Sequence, residues 1–156
     1  MSDYEITNTM IGAQGIAVTS TTQNHPLGLI VQAVDRASTA YGAGEFVYLS
    51  GVASTVLGSF VTYNADDNST ALLAANAIGP VATAMSINVA SSYGWYQISG
   101  KAVGKCLAGY ADNALVFATA TAGSVDDAVV AGDRVKLGKS ASATGTPSTG
   151  LAEFEI

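Results

Sequence analysis

From Gly28 onward, short apolar runs alternate with Gly, Asn, Asp and Ser punctuation. The runs are GLIVQAV (28–34), EFVYLS (45–50), VLGSFVTY (56–63), VATAMSINVA (81–90), WYQIS (95–99), KAVGKCLA (101–108), LVFATA (115–120), DRVKL (133–137) and LAEFEI (151–156). Each is rich in the β-branched and aromatic side chains that fit a pleated surface, and the spacing is that of all-β domains. The pattern predicts an antiparallel β-sandwich or barrel. Strict alternation marks two half-exposed strands: Val135 and Leu137 oppose Arg134 and Lys136, and Phe154 and Ile156 oppose Glu153 and Glu155. EFVYLS is apolar on both faces, as expected where one face meets the core and the other a neighbouring chain.

Three segments break this rhythm. Residues 1–26 are rich in Thr, Asn, Gln and Ser and end in QNHPLG, which predicts an extended N-terminal arm that orders only along a neighbouring subunit. STALLAANAIGP, Ser69 to Pro80, carries a hydroxyl cap, good helix formers and a Gly-Pro stop, so a helix of at most two turns competes there with a strand. GKSASATGTPSTG, Gly138 to Gly150, is low in complexity and reads as a mobile loop. Residues 27–156 then form a single β-domain. A faint echo links GEFVYLSGVAST from Gly44 with GDRVKLGKSASAT from Gly132, and a recurring glycine turn before an alternating strand accounts for it.

Composition narrows the partners. Only 12% of the 156 residues are charged, about half the ~25% of ordinary soluble domains, while mean hydropathy is +0.34. Such a surface must be wetted by neutral polar groups or hidden against protein, which predicts a homodimer or homotrimer. No run approaches the ~18 apolar residues of a membrane helix, and the acidic, polar MSDYEITNTM lacks the pattern of a signal region, so synthesis in the cytoplasm and no membrane partner are expected. A net charge of −6 opposes binding to nucleic acid through phosphate.

Candidate chemistry is sparse. Gly104-Lys105 resembles the end of a phosphate loop, but Ser99 stands where its first glycine belongs and Cys106 where its magnesium-binding hydroxyl belongs. GAGEFV places Val47 where a dinucleotide fingerprint needs glycine. His25 precedes a proline and Cys106 lies in an apolar run, so both read as structural; one histidine and one cysteine make no zinc set and no intrachain disulfide. Asp66-Asp67 and Asp126-Asp127 lack calcium-loop spacing and read as turn caps. No catalytic, cofactor or metal residue is predicted, and the expectation is that the chain is not an enzyme. Tyr93, Trp95 and Tyr96, with Phe46 and Tyr48, are the expected core or interface anchors. Tyr93, Trp95 and Tyr96, if exposed, would suit stacking on sugars in a carbohydrate-binding module of a head fibre or adhesin.

The order GEFVYLSG, then GPVATAMSINVASSYGWYQISGKA, then GDRVKL, resembles small decoration, or cement, proteins on the capsids of tailed double-stranded DNA bacteriophages. YGWYQISG, Tyr93 to Gly100, is its most recognisable part, and the likeness runs from Gly44 to Leu137. It implies an all-β oligomer on the virion exterior that grips the major capsid protein and stabilises the shell. Ser91 to Cys106 would then be two core strands around a turn.

Overall fold

The computed structural model describes residues 4–7, 12–37, 40–140 and 151–155, and no helix occurs among them. The chain forms β1 (Tyr4–Ile6), β2 (Ile30–Asp35), β3 (Ala43–Ser50), β4 (Phe60–Tyr63), β5 (Thr70–Leu72), β6 (Val81–Ala84), β7 (Tyr93–Lys105), β8 (Leu115–Ala118), β9 (Val125–Asp126), β10 (Arg134–Ser140) and β11 (Leu151–Glu155). A large antiparallel sheet runs β1-β2-β3-β7-β6-β4-β5. A smaller one runs β7-β11-β10-β8-β9. The predicted all-β antiparallel sandwich is therefore the fold, and its smaller layer curls shut. Cys106 bridges Val125, whose carbonyl accepts the Leu107 N–H at 2.9 Å, so β9 returns to the end of β7.

β7 belongs to both layers. Tyr93 to Gly100 pairs with β3, and Lys101 to Lys105 pairs with β11. The changeover falls at a bulge: Glu45 faces Ser99 while Phe46 faces Gln97, leaving Ile98 as the extra residue, and Gly100 follows at φ 94°. A bulge twists a strand, and glycine alone takes that φ at little cost, which lets one strand turn from one sheet into the next. Ser91 to Cys106 is thus a single bent strand with its lead-in, where two strands around a turn were expected. The glycine that reads as a turn in sequence is a corner.

Alternation along β3 and β7 sends side chains to two separate cores. On one face Phe46, Tyr48 and Trp95 pack with Tyr4, Ile16, Val31 and Met85; on the other Val47, Leu49 and Tyr96 pack with Val61, Ala82 and Ala84. A third cluster, with Cys106, Tyr110, Val116, Val125 and Val135, fills the closed layer and receives Phe60 from β4 and Leu73, which follows β5. Both faces of EFVYLS are therefore covered within the chain. This corrects the expectation that one strand face is left for a neighbour.

The cover on the Trp95 face is the segment expected to order only along a neighbouring subunit. It is extended, yet Tyr4 to Ile6 adds a strand to β2 and Ile16 is only 2% exposed. Its backbone is tied on by the Ser20–Tyr93 bridge, with Ser20 N–H on Tyr93 O at 3.0 Å and Tyr93 N–H on Ser20 O at 2.8 Å. Scarcity of apolar residues hid this role, because only Tyr4, Ile6 and Ile16, with a set of amide groups, do the covering.

The helix weighed for Ser69 to Pro80 is absent, and the competing strand, β5, holds its start. The cap residue is taken by a hairpin turn: Ser69 O accepts from Asn64 N–H, and Asp67 Oδ1 accepts from both Ser69 N–H and Oγ–H. Asn68 at φ 57° completes the turn and launches Thr70 antiparallel to Tyr63. Of the loop expected over 138–150, Gly138, Lys139 and Ser140 belong instead to β10; residues 141–150 lie outside the described ones. Val135 is buried and Arg134 exposed, as their alternation requires. The side chains of Lys136, Leu137 and Glu153 to Ile156 lie outside the described set.

Candidate binding surface

Of the residues singled out from sequence, Phe46, Tyr48, Tyr93 and Trp95 converge on one inward face, and Tyr96 turns into the opposite core. Phe46, Tyr48, Trp95 and Tyr96 are each 0% exposed, and Tyr93 is half-buried with its ring stacked on Tyr48, centroids 6.5 Å apart. Tyr48 and Trp95 meet edge to face at 5.0 Å, and His25 closes the group at 5.1 Å from Tyr48 and 5.5 Å from Trp95. Such pairs stabilise a core beyond their buried area. Burial pushes the hydroxyl pKa of Tyr96 up to about 12, with Asn88 Nδ2–H donating to it at 3.0 Å.

Gln14, which the sequence reading passed over, organises the polar side of this cluster. Its backbone N–H donates to His25 Nε2 at 3.0 Å, and its carbonyl accepts from Trp95 Nε1–H at 2.8 Å. Its side-chain oxygen accepts from Tyr48 Oη–H and from Asn24 Nδ2–H, each at 2.9 Å. Its amide nitrogen donates to Val18 O at 2.6 Å and Tyr93 O at 3.1 Å. His25 Nε2 is thus the acceptor in a clasp. Cys106 belongs to a different core, so no Cys–His pair forms. A lone Gln in a polar stretch carries no sequence signal for such a role.

The acid pairs lie where the turns need them. Asp67 caps the Ser69 turn, and those hydrogen bonds from Ser69 lower its pKa. Asp126 Oδ1 accepts from Asp127 N–H, and Asp127 Oδ2 accepts from Ala111 N–H at 3.0 Å. Lys105, from the phosphate-loop lookalike, lies in the sheet with its N–H on Gly58 O. Among the described residues no group of three His, Cys, Asp or Glu side chains stands together.

What the chain turns outward is two apolar loops. Between β5 and β6, Ala75 to Pro80 is exposed throughout, with Ile78 96% exposed; between β9 and β10, Ala128 to Gly132 is exposed throughout, with Val129 80% exposed. The loops are joined, because Asn76 N–H donates to Asp133 Oδ1 at 2.6 Å and Asp133 N–H to Val130 O at 3.2 Å. Beside Ile78 an open hollow of about 380 Å³ is lined by Tyr63, Ala71 and Pro80 with Thr62, Asn64 and Ser69. The signal missed in sequence was AVVAG, a run without a turn former until its last residue, set between Asp127 and Asp133. Elsewhere Val56, Ile87 and Val89 are exposed one at a time, alternating with buried Ser86 and Asn88, as on ordinary surfaces. Compared with protein-family models, with curated proteins and with solved structures, the chain matches none.

Proposed function

We propose that this chain is a structural binding protein, a capsid decoration protein that is made in the host cytoplasm, stands on the outer surface of a shell of major capsid protein and stabilises it. The observation that carries the reading is the exposure of Ala75–Pro80 and Ala128–Gly132 on joined loops of a closely hydrogen-bonded β-scaffold. Exposed apolar surface on a rigid support marks contact with another macromolecule. The 12% charge content fits a surface meant for protein, and the likeness of Gly44 to Leu137 to decoration proteins points to a capsid. A carbohydrate module would present Trp95 and Tyr96 to solvent, and both rings are buried. Self-association into a dimer or trimer belongs to the same proposal, through surfaces other than the filled sheet faces.

The test is to band phage particles from cells that carry the gene and to quantify this chain in them by mass spectrometry. Stoichiometric presence, removed from intact particles by external protease, supports the reading. Absence from purified particles overturns it.

A further inference from the structure

We infer that the joined loops Ala75–Pro80 and Ala128–Gly132 form the docking tip of the molecule, and that their occupant is a different protein with an apolar patch ringed by basic residues. The inference rests on the decoration reading and names the chemistry of the shell surface it would require.

The centre of the tip is apolar and the border is acidic. Ile78, Val129 and Val130 stand out from a surface on which neighbouring Ala, Gly and Pro supply no charge. Around them lie exposed Asp66 and Asp67, in the turn next to the hollow that Ile78 lines, and half-buried Asp126 and Asp127 at the foot of the second loop. Asp127 in turn holds Ala111, which brings exposed Asp112 to the same side. Against these five carboxylates, exposed Arg134 is the basic residue that follows the second loop. An apolar centre inside a charged rim is the anatomy of a protein interface.

The rim selects the occupant. Pairing with a second copy through the same patch would place one acidic border against another, and like charges across an interface oppose association. An anionic bilayer would be repelled in the same way. β10 ends at Ser140, where Lys139 pairs with Leu115, and β11 begins at Leu151 beside Lys105, while the tip adjoins Arg134 at the opposite end of β10. A partner with Lys or Arg around an apolar patch satisfies both parts of the tip, and the hollow beside Ile78 offers room for one of its side chains.

The experiment replaces the gene with Ile78→Ser/Val129→Ser/Val130→Ser, with the milder Ile78→Ala/Val129→Ala/Val130→Ala, or with the control Val56→Ser/Ile87→Ser, and counts copies per banded particle. Thermal melts of the purified variants confirm folding, and the alanine variant carries the test if the serine variant melts early. The expected result is a loss of about tenfold or more for the tip variants, as when central interface anchors are truncated, with the control unchanged. Asp66→Asn/Asp112→Asn should give a smaller loss and a flatter dependence of occupancy on salt. Full occupancy of the tip variants on particles that carry the wild type overturns the docking tip and leaves the decoration reading standing. Absence of the wild type from particles overturns both. Flotation of the wild type with phosphatidylcholine/phosphatidylglycerol vesicles, or a dimer in sedimentation, either one lost in the tip variants, would assign the tip to lipid or to a second copy and overturn the inference.

Discussion

Gln14→Ala tests whether the N-terminal segment is an integral part of the domain. The substitution leaves the backbone bonds to His25 and Trp95 in place and removes the side-chain bonds to Tyr48, Asn24, Val18 and Tyr93. Asn24 and Val18 are exposed and Tyr93 half-buried, so water replaces much of what those groups lose. The Tyr48 hydroxyl is different, since its residue is 0% exposed and its proton then has no acceptor. Leaving one buried donor unmet costs about 1–3 kcal/mol, and the remaining bonds add about 1 kcal/mol net, which sums to about 2–4 kcal/mol. With an m-value of about 2 kcal/mol/M in urea, the midpoint should fall by about 1–2 M at unchanged m. Urea titration followed by Trp95 fluorescence, with far-ultraviolet circular dichroism as a second probe, measures it. A loss below about 0.5 kcal/mol, the level of ordinary surface changes, would refute the clasp and return the segment to the status of a loose arm.

Three further outcomes follow from the same packing. Deleting residues 2–24 removes β1, Ile16 and the Gln14 clasp and uncovers Trp95, so the truncated chain should lose cooperative thermal unfolding and bind a hydrophobic dye, while an intact melt would show that the cover is dispensable. Gly51→Ala would drive a methyl group into the Val89 and Asn88 carbonyls, fixed by Val52 N–H on Asn88 O and Gly51 N–H on Ser92 O, and should lower stability by about 1–3 kcal/mol in urea titration. Burial raises the pKa of Tyr4 and Tyr96 to about 12 from 10.0, so the folded state holds these protons where the unfolded chain releases them. Stability should therefore be level in this respect below pH 10 and fall as pH rises from 10 to 12, and a melting temperature independent of pH across that window would contradict the burial.

Strand identity was legible because β-branched and aromatic runs between turn formers leave few alternatives, and the alternation at Arg134 and Val135 even gave the correct facing. What covers a strand was not legible. EFVYLS shows only that both faces are apolar, and the same letters serve whether the second face meets another chain or, as here, Ile16 and Leu29 of its own. Gly100 illustrates a second limit: a glycine between apolar runs signals a positive φ, and a hairpin and a sheet-to-sheet corner both need one. The Ser69 cap signal was outbid by the Asn64–Asn68 turn, whose side-chain bonds act before any helix could start. For the candidate site, aromatic anchors were recognisable by size, but their direction depended on the clasp at Gln14, which no periodicity announces. Loop exposure depends on what stands above a residue in space, and AVVAG looks the same buried or bare.

The position of β11 has a consequence for how the molecule can be made. In the smaller layer this strand lies between β7 and β10, and Leu151 to Glu155 is the stretch that joins them. Until a ribosome has released those residues, β7 and β10 present unpaired edges to each other. At about 5–20 residues per second the chain up to β10 waits seconds in that state. The large sheet has all its strands in hand once β7 emerges, so it can form first and hold its half of β7 straight. Closure of the second layer then follows formation of the large sheet, made by threading one strand into a gap of its own width.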